Sequence, residues 1–329
     1  MSKAAWAHAL RLVEPALELS DPAFLDQLAS RLEEEGVQAA IRRRDTPLLF
    51  DWLVAGFQFQ GVSDQIAHSY QAGHPLPSWY DISAALAEAN CSKLRSYWHF
   101  NDCGFRKSRG TCNRGELLPH CPVAHFPFRN GRLSQAAFSF FLFIRDICDG
   151  DLVQWLDDRL EKAGLGDGPA TPSVMRETLL GPLRQVHGVS DKILSLALSG
   201  LLIAGDPRRA RWIEAGGAMI AIDTLIHNFL HRSGVLARFG VCHPYGERCY
   251  GAGGCAEIIE GLAGRIDVRR FNGAFPANFP RFVQHAVWRF CSASHFDICN
   301  GNRINDRHRC QQVFCPAWDH CDKLRLGRG

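Results

Sequence analysis

LLGPLRQVHGVSDKILSLALSGLLIAGDPRRARWIEAGGAMIAIDTLIHNFLHR, residues 179–232, decides the fold. An apolar-periodic run ends at Val186, His187-Gly188-Val189 makes a tight turn, and a second run starts at Ser190. Ser190 has the side chain of an N-cap, and Ile193, Leu194, Leu196, Ala197 and Leu201 form a buried stripe behind it. Two helices about a glycine-containing turn make a helix-hairpin-helix, whose turn amides at a helix N-terminus suit a phosphate. Further on, Ile220-Ala221-Ile222-Asp223-Thr224 leads into a helix with Ile226, Phe229 and Leu230 on one face. Asp223 therefore stands at a helix start with apolar residues before it.

At 329 residues, 46% hydrophobic and 22% charged, the chain has the composition of a soluble globular protein with one large core or two smaller ones. A net charge of +3 means that an acidic partner must be met by a local basic patch. No signal peptide is expected, because charges enter the N-terminal segment too early. The most apolar stretch, residues 136–147, is too short to span a membrane. Thirteen cysteines without a secretory signal point to metal or cluster ligation rather than disulfides, and to a cytoplasmic, nucleoid-associated protein if the source is bacterial.

Taken together, Gln185-Val186-His187-Gly188-Val189-Ser190-Asp191-Lys192 and Ile222-Asp223-Thr224 resemble the helix-hairpin-helix DNA glycosylases of the endonuclease III superfamily. That family's hairpin reads roughly L-P-G-V-G-x-K, and its catalytic aspartate lies in V-D-T-H. By position, Asp223 matches the aspartate and Lys192 the lysine of the bifunctional members. His187 stands where a Pro is usual, Ser190 where the second Gly is usual, and Leu225 where a His is common. The interval between Lys192 and Asp223 also looks longer, with residues 206–212 as the insertion.

Residues 48–70, LLFDWLVAGFQFQGVSDQIAHSY, resemble the family's early helix and turn. In that register Gln60 falls where a polar side chain fills the gap left by an extruded base, an event that costs about a few kcal/mol of stacking. The plainer alternative makes Gln60 a helix-end neighbour of Gly61. Near the C-terminus, Cys299, Cys310, Cys315 and Cys321 resemble the family's [4Fe–4S] motif, C-x6-C-x2-C-x5-C. The last interval matches, while the first holds ten residues and the second four; a four-cysteine zinc site is the competing reading. Cys291 is then a spare on the preceding helix. Residues 264–329 carry eleven Lys/Arg against five Asp, and Arg303, Arg307 and Arg309 lie inside the first cluster interval, suited to a DNA backbone.

The remaining chain reads as follows. Residues 4–45 form two or three amphipathic helices, with Ser20-Asp21-Pro22 as a helix start and Arg42-Arg43-Arg44 as a solvated helix end. Residues 91–121 hold Cys91, Cys103, Cys112 and Cys121 at separations of 12, 9 and 9, with six Lys/Arg against two acids. Either these thiols bind a second metal, zinc or a cluster, with His99 or His120 able to replace one, or some are small buried hydrophobes. Residues 133–160 return to helix, with 138–143 as core, and 164–173 form a loop that crosses between lobes. Cys242, Cys249 and Cys255 lie in a Gly-rich segment with His243. The reading taken for them is a flexible loop with incidental cysteines, against a metal site or completion of the 91–121 group.

The expected fold is mainly α: two helical lobes with a helix-hairpin-helix, a C-terminal iron–sulfur loop and a cysteine-rich insertion. Residues 1–45 are assigned to N-terminal helices, 46–90 with 240–329 to the cluster lobe, 91–130 to the insertion, and 131–239 to the lobe with hairpin and Asp223. The resemblance implies a monomeric enzyme without membrane attachment that grips double-stranded DNA through His187, Gly188, Ser190 and the cluster-loop arginines. It would flip out a damaged or modified base and excise it, with Asp223 stabilising the sugar cation. Lys192 would either attack C1′ as a lyase nucleophile or only contact phosphate. The substrate reading is a bulky modified base of phage DNA, hence antiviral defence. The alternatives are oxidised-base DNA repair with AP lyase activity, or a non-catalytic iron–sulfur DNA-binding module.

Overall fold

Apolar residues at three- and four-residue intervals dictate helix along most of the chain. The computed structural model describes residues 2–101, 103–164 and 171–326. Among these it is mainly α-helical and has no strand, only an isolated antiparallel bridge between Arg106 and Thr111. No helix among the described residues is long and apolar enough to cross a membrane. The expected crossing loop at 164–173 lies mostly outside the described residues.

The chain forms two compact units, Met1–Leu28 with Gly216–Gly329, and Ala29–Ala215. In the first, helix Pro280–Cys291 is central, started by a proline whose missing N–H costs nothing at the first turn. It buries Phe282, Val283, Ala286, Val287 and Phe290 against Lys3–Glu18, Thr224–Arg232 and Cys255–Ala263. Phe24, Phe275 and Phe279 surround Phe282 with ring centroids 4.6–6.1 Å away. Each such ring contributes about 1.5–3 kcal/mol on full burial.

In the second unit, helix Gly131–Ile147 is buried along nearly its whole length, as expected for 138–143. Phe140 stacks on Phe50 at 5.6 Å and meets Phe57 edge-on at 5.4 Å. Helices Pro172–Leu183 and Asp191–Ala204 are the two arms of the hairpin, and Thr46–Phe57 packs against the second arm. Residues 206–212, the expected insertion, turn back onto this unit. The Trp212 indole N–H donates to Asp157 Oδ1 at 2.8 Å, and Arg209 pairs with Asp157 and Asp206.

Two assignments differ from the sequence division. Residues 46–90 group with the hairpin rather than with 240–329, because the apolar side of Thr46–Phe57 is spent on Asp191–Ala204 and Val37–Arg43. Asp223 belongs with the C-terminal segment, because Phe229 and its neighbours on helix Thr224–Arg232 pack on Pro280–Cys291. The three N-terminal helices are Lys3–Glu18, Phe24–Glu34 and Val37–Arg43. Arg44, just after the third, is partly exposed and pairs with Asp151 at 2.5 Å.

Candidate functional site

The hairpin turn needs a residue with positive φ, and Gly188 supplies it at +82°. A side chain there would also meet the Arg132 carbonyl at 3.2 Å. Three side chains of the same unit fix the turn. Gln60 Nε2 donates to the Gly188 carbonyl at 2.6 Å, and Gln60 Oε1 accepts from the Ser190 N–H at 3.0 Å. Arg132 Nε donates to the same carbonyl at 3.0 Å, and the Ser139 hydroxyl accepts from the His187 N–H at 2.9 Å. Arg129 in turn holds the carbonyls of Gln58 and Gln60.

Gln60 is thus a clasp on the turn, with both ends of its amide engaged, rather than a helix-end bystander. Ser190 occupies the N-cap position, but its hydroxyl makes no capping bond; its own N–H is held by Gln60. The N–H of Gly188 has no partner among the described residues. The N–H groups of Asp191 and Lys192 open the next helix, where intrahelical acceptors are lacking. Arg184 links the two arms through Asp191 at 2.9 Å and Glu177 at 2.5 Å. His187 is half-buried, and burial, with the charge of Arg132, lowers its pKa. Lys107 lies close enough to Arg132 and Arg129 for their charges to lower its own pKa, after burial. The turn is therefore flanked by three cations, a feature the sequence reading missed because they come from 107, 129 and 132. Lys192, half-buried, makes no ion pair among the described residues.

Cys91, Cys103, Cys112 and Cys121 come together in this unit. The Arg106–Thr111 bridge folds the segment back between Cys103 and Cys112. Gly104 makes this possible, since a Cβ there would lie 2.8 Å from Asn113. Burial pushes Cys103 and Cys121 up in pKa, and the other thiols of the group push the same way. The Arg114 N–H donates to Cys112 Sγ at 3.4 Å. His99 and His120 are exposed, and His99 Nδ1 is engaged with Ser96 Oγ.

In the other unit, Asp223 is the N-cap of helix Thr224–Arg232. It is half-buried after a fully buried run from 218 to 222, and its Oδ1 accepts from the Ile226 N–H at 3.0 Å. Its charge is felt by the buried Arg281 guanidinium and by Tyr245.

One turn after Asp223, His227 meets the Gly-rich segment. His227, His243, Cys249 and Cys255 bring their ligand atoms within 4.8 Å of one another and can hold a metal ion. This overturns the reading of incidental cysteines: Cys249 and Cys255 are fully buried, while Cys242 is exposed and outside the group. His227 was missed because its register on the helix reads as core. Cys249 is drawn down to about 4 by the Cys255 thiol and His227, and Cys255 is pushed up by the same pairing and by burial.

Cys299, Cys310, Cys315 and Cys321 also converge. Burial, together with the charge of the other three thiols, pushes Cys315 up to about 11, and Cys321 is pushed up to about 11 by burial and by Cys299 and Cys310. Cys291, the last residue of its helix, is fully buried beside Cys299, and it also feels the charges of Asp223 and Arg232. Beside Cys299 lies Arg232, 1% exposed, whose Nε and Nη1 meet no N or O acceptor among the described residues while Nη2 reaches Asp306 at 2.5 Å. Arg303 and Arg307 are exposed, with Arg303 paired to Asp297 at 2.7 Å; Arg309 donates to the Asp322 carbonyl. Phe314, between Cys310 and Cys315, is 94% exposed.

Comparison with protein-family models, curated proteins and solved structures finds no match.

The clasp is open to measurement. Gln60→Leu leaves the Ser190 N–H without its acceptor, and should lower stability to denaturant by about 1–3 kcal/mol. Gln60→Glu keeps an acceptor for that N–H and should cost less. Equal stability of all three proteins would remove the clasp.

Proposed function

We propose that this protein is a DNA glycosylase that excises a modified base. The observation that carries the reading is the hairpin turn, where the Gly188 N–H is unpartnered among the described residues and the Asp191 and Lys192 N–H groups open the next helix, beside Lys107, Arg129 and Arg132. Amides at a helix N-terminus with cations around them form a phosphate site, and phosphate contacts set register on a duplex. Gln60 serves this contact by holding the turn in shape. A wedge role for Gln60 would require its two hydrogen bonds to the turn to break. Arg303, Arg307 and the exposed Phe314 ring suit a second contact, arginines on phosphates and the ring stacked on a base.

Asp223 supplies the chemistry. As the C1′–N bond breaks, its electron pair leaves on the base and positive charge grows on the sugar. A carboxylate fixed by the Ile226 N–H stabilises that charge without reorganising. A water oxygen then bonds to C1′ and passes its proton to the carboxylate. Lys192 supports a lyase variant, in which its amine attacks C1′ in place of water. Its half-buried position without an ion pair among the described residues favours an available amine.

The C-terminal cysteines fit an iron–sulfur cluster. Four thiolates around a cluster leave a net negative charge, and the buried Arg232 guanidinium lies beside Cys299 with Nε and Nη1 not engaged by any N or O acceptor among the described residues. Cys299, Cys310, Cys315 and Cys321 would hold the cluster, which supplies a rigid support for the arginine loop. Cys91, Cys103, Cys112 and Cys121 are proposed to hold a second metal group that stiffens the segment presenting Lys107.

Four outcomes follow. Asp223→Asn keeps a good N-cap but removes the charge, so base release should fall about 10²–10³-fold with DNA affinity retained. If base release is undiminished, the mechanism is wrong. Borohydride should trap wild-type protein on DNA and fail with Lys192→Ala if the lysine is the nucleophile. Lys107→Ala and Arg307→Ala should each weaken binding to all sequences alike and flatten the salt dependence by about one unit per lost phosphate contact. Anaerobically purified protein should contain iron, lost from the C-terminal group as a unit in Cys315→Ala. Iron-free wild-type protein would remove the cluster assignment.

A further inference from the structure

The four side chains around His227 have the dimensions of a single-ion site. His227 Nδ1 lies 3.4 Å from Cys255 Sγ and 3.6 Å from Cys249 Sγ, and His243 Nε2 lies 3.8 Å from Cys255 Sγ. With Zn–S near ~2.3 Å and Zn–N near ~2.0–2.1 Å at tetrahedral angles, sulfur and nitrogen ligands stand about 3.6 Å apart. A two-iron centre with two histidines and two cysteines puts imidazoles and thiolates on different irons. The close approach of Cys255 to both imidazoles is inconsistent with that. Among the described residues, no other group of three or more His, Cys, Asp or Glu ligand atoms is this tightly gathered.

The outer surroundings also suit a metal. The His243 Nδ1 faces the Pro244 carbonyl at 2.8 Å, which puts the proton on Nδ1 and leaves the Nε2 lone pair for the ion. Two thiols and two imidazoles with no water position make a closed, structural set, and that softness and geometry select zinc.

What the ion holds together is specific. Cys249 is followed by Tyr250, whose hydroxyl accepts from the Ile222 N–H at 2.8 Å and donates to the Ile222 carbonyl at 3.2 Å. Ile222 precedes Asp223, and His227 stands one turn beyond it on the helix that Asp223 caps. We propose that His227, His243, Cys249 and Cys255 bind one zinc ion, and that this ion pins the 241–255 segment onto Ile222 and so fixes the position of Asp223. The value of that position for catalysis rests on the glycosylase reading; the site and the pinning do not.

The full chain, purified and analysed for metals, should carry one zinc at this site besides whatever metal the 91–121 and C-terminal cysteines hold. Cobalt(II) exchanged into the site should show the visible absorption of a tetrahedral ion with thiolate charge transfer. Cys249→Ser and His243→Gln should each lower the zinc content by about one ion per chain and leave iron content unchanged. Removing zinc from the wild-type protein with a chelator should speed amide exchange at 222–227 while leaving 184–194 unchanged. Zinc-free wild-type protein, zinc content undiminished in both variants, or iron lost with either substitution overturns the site. Unchanged exchange at 222–227 after zinc removal overturns the pinning. The wild-type metal content stands even if a variant fails to fold. No readout uses base release, so failure of the glycosylase reading is distinguishable from failure of this one.

Discussion

A guanidinium cannot be buried without compensation, and Arg232 is almost completely buried. That constraint organises the first unit. Its charge is answered by Asp306 from the arginine loop and by the thiol group around Cys299. Its backbone carbonyl accepts from the Leu324 N–H at 2.8 Å, and the next carbonyl, Ser233, accepts from the Asp322 N–H at 3.2 Å. The chain beyond Cys321 is thereby laid along the end of helix Thr224–Arg232, and Cys321 is carried into the group of four. A loop of this length without regular structure has little else to order it.

The same nine-residue helix carries Asp223 at its start and His227 in its middle. The carboxylate and imidazole lie toward the 241–255 segment, and the guanidinium at the other end lies toward the C-terminal cysteine loop. The second unit solves a similar problem with neutral groups. Its hairpin turn is held by the Gln60 amide, whose donor and acceptor satisfy two backbone groups of the turn at once. Left unpaired in a half-buried turn, those groups would each carry a desolvation penalty of about 1–3 kcal/mol.

Periodicity made the helices legible, and the Gly-containing turn between two apolar runs made the hairpin legible. Asp223 as a helix start could be read because an N-cap is a local signal. The C-terminal cysteines were singled out by the resemblance of their spacing to a cluster motif, and those of 91–121 by composition. What stayed hidden depended on distant partners. His227 looks like any core position on a helix until residues 243, 249 and 255 arrive beside it, and the cations at 107, 129 and 132 form a patch only in three dimensions. Gln60 was singled out for its place in the sequence, but its hydrogen bonds to 188 and 190 could not be read from its neighbours. Domain boundaries failed for the same reason: residues 46–57 have an apolar face, and nothing local says which helix it will cover.

The two units also differ in how their parts are spread along the chain. Ala29–Ala215 is continuous, so every residue it packs has been synthesised before Gly216 is added. The other unit joins helix Lys3–Glu18 to segments more than two hundred positions later; His8 Nε2 meets the Ser233 carbonyl, and the same carbonyl accepts from Asp322. Closing so long a loop is slow and entropically costly before its contacts form. During vectorial synthesis, therefore, the hairpin unit is free to assemble first. Helix Lys3–Glu18 waits with its apolar face uncovered until the helices it packs on, up to Pro280–Cys291, have been synthesised.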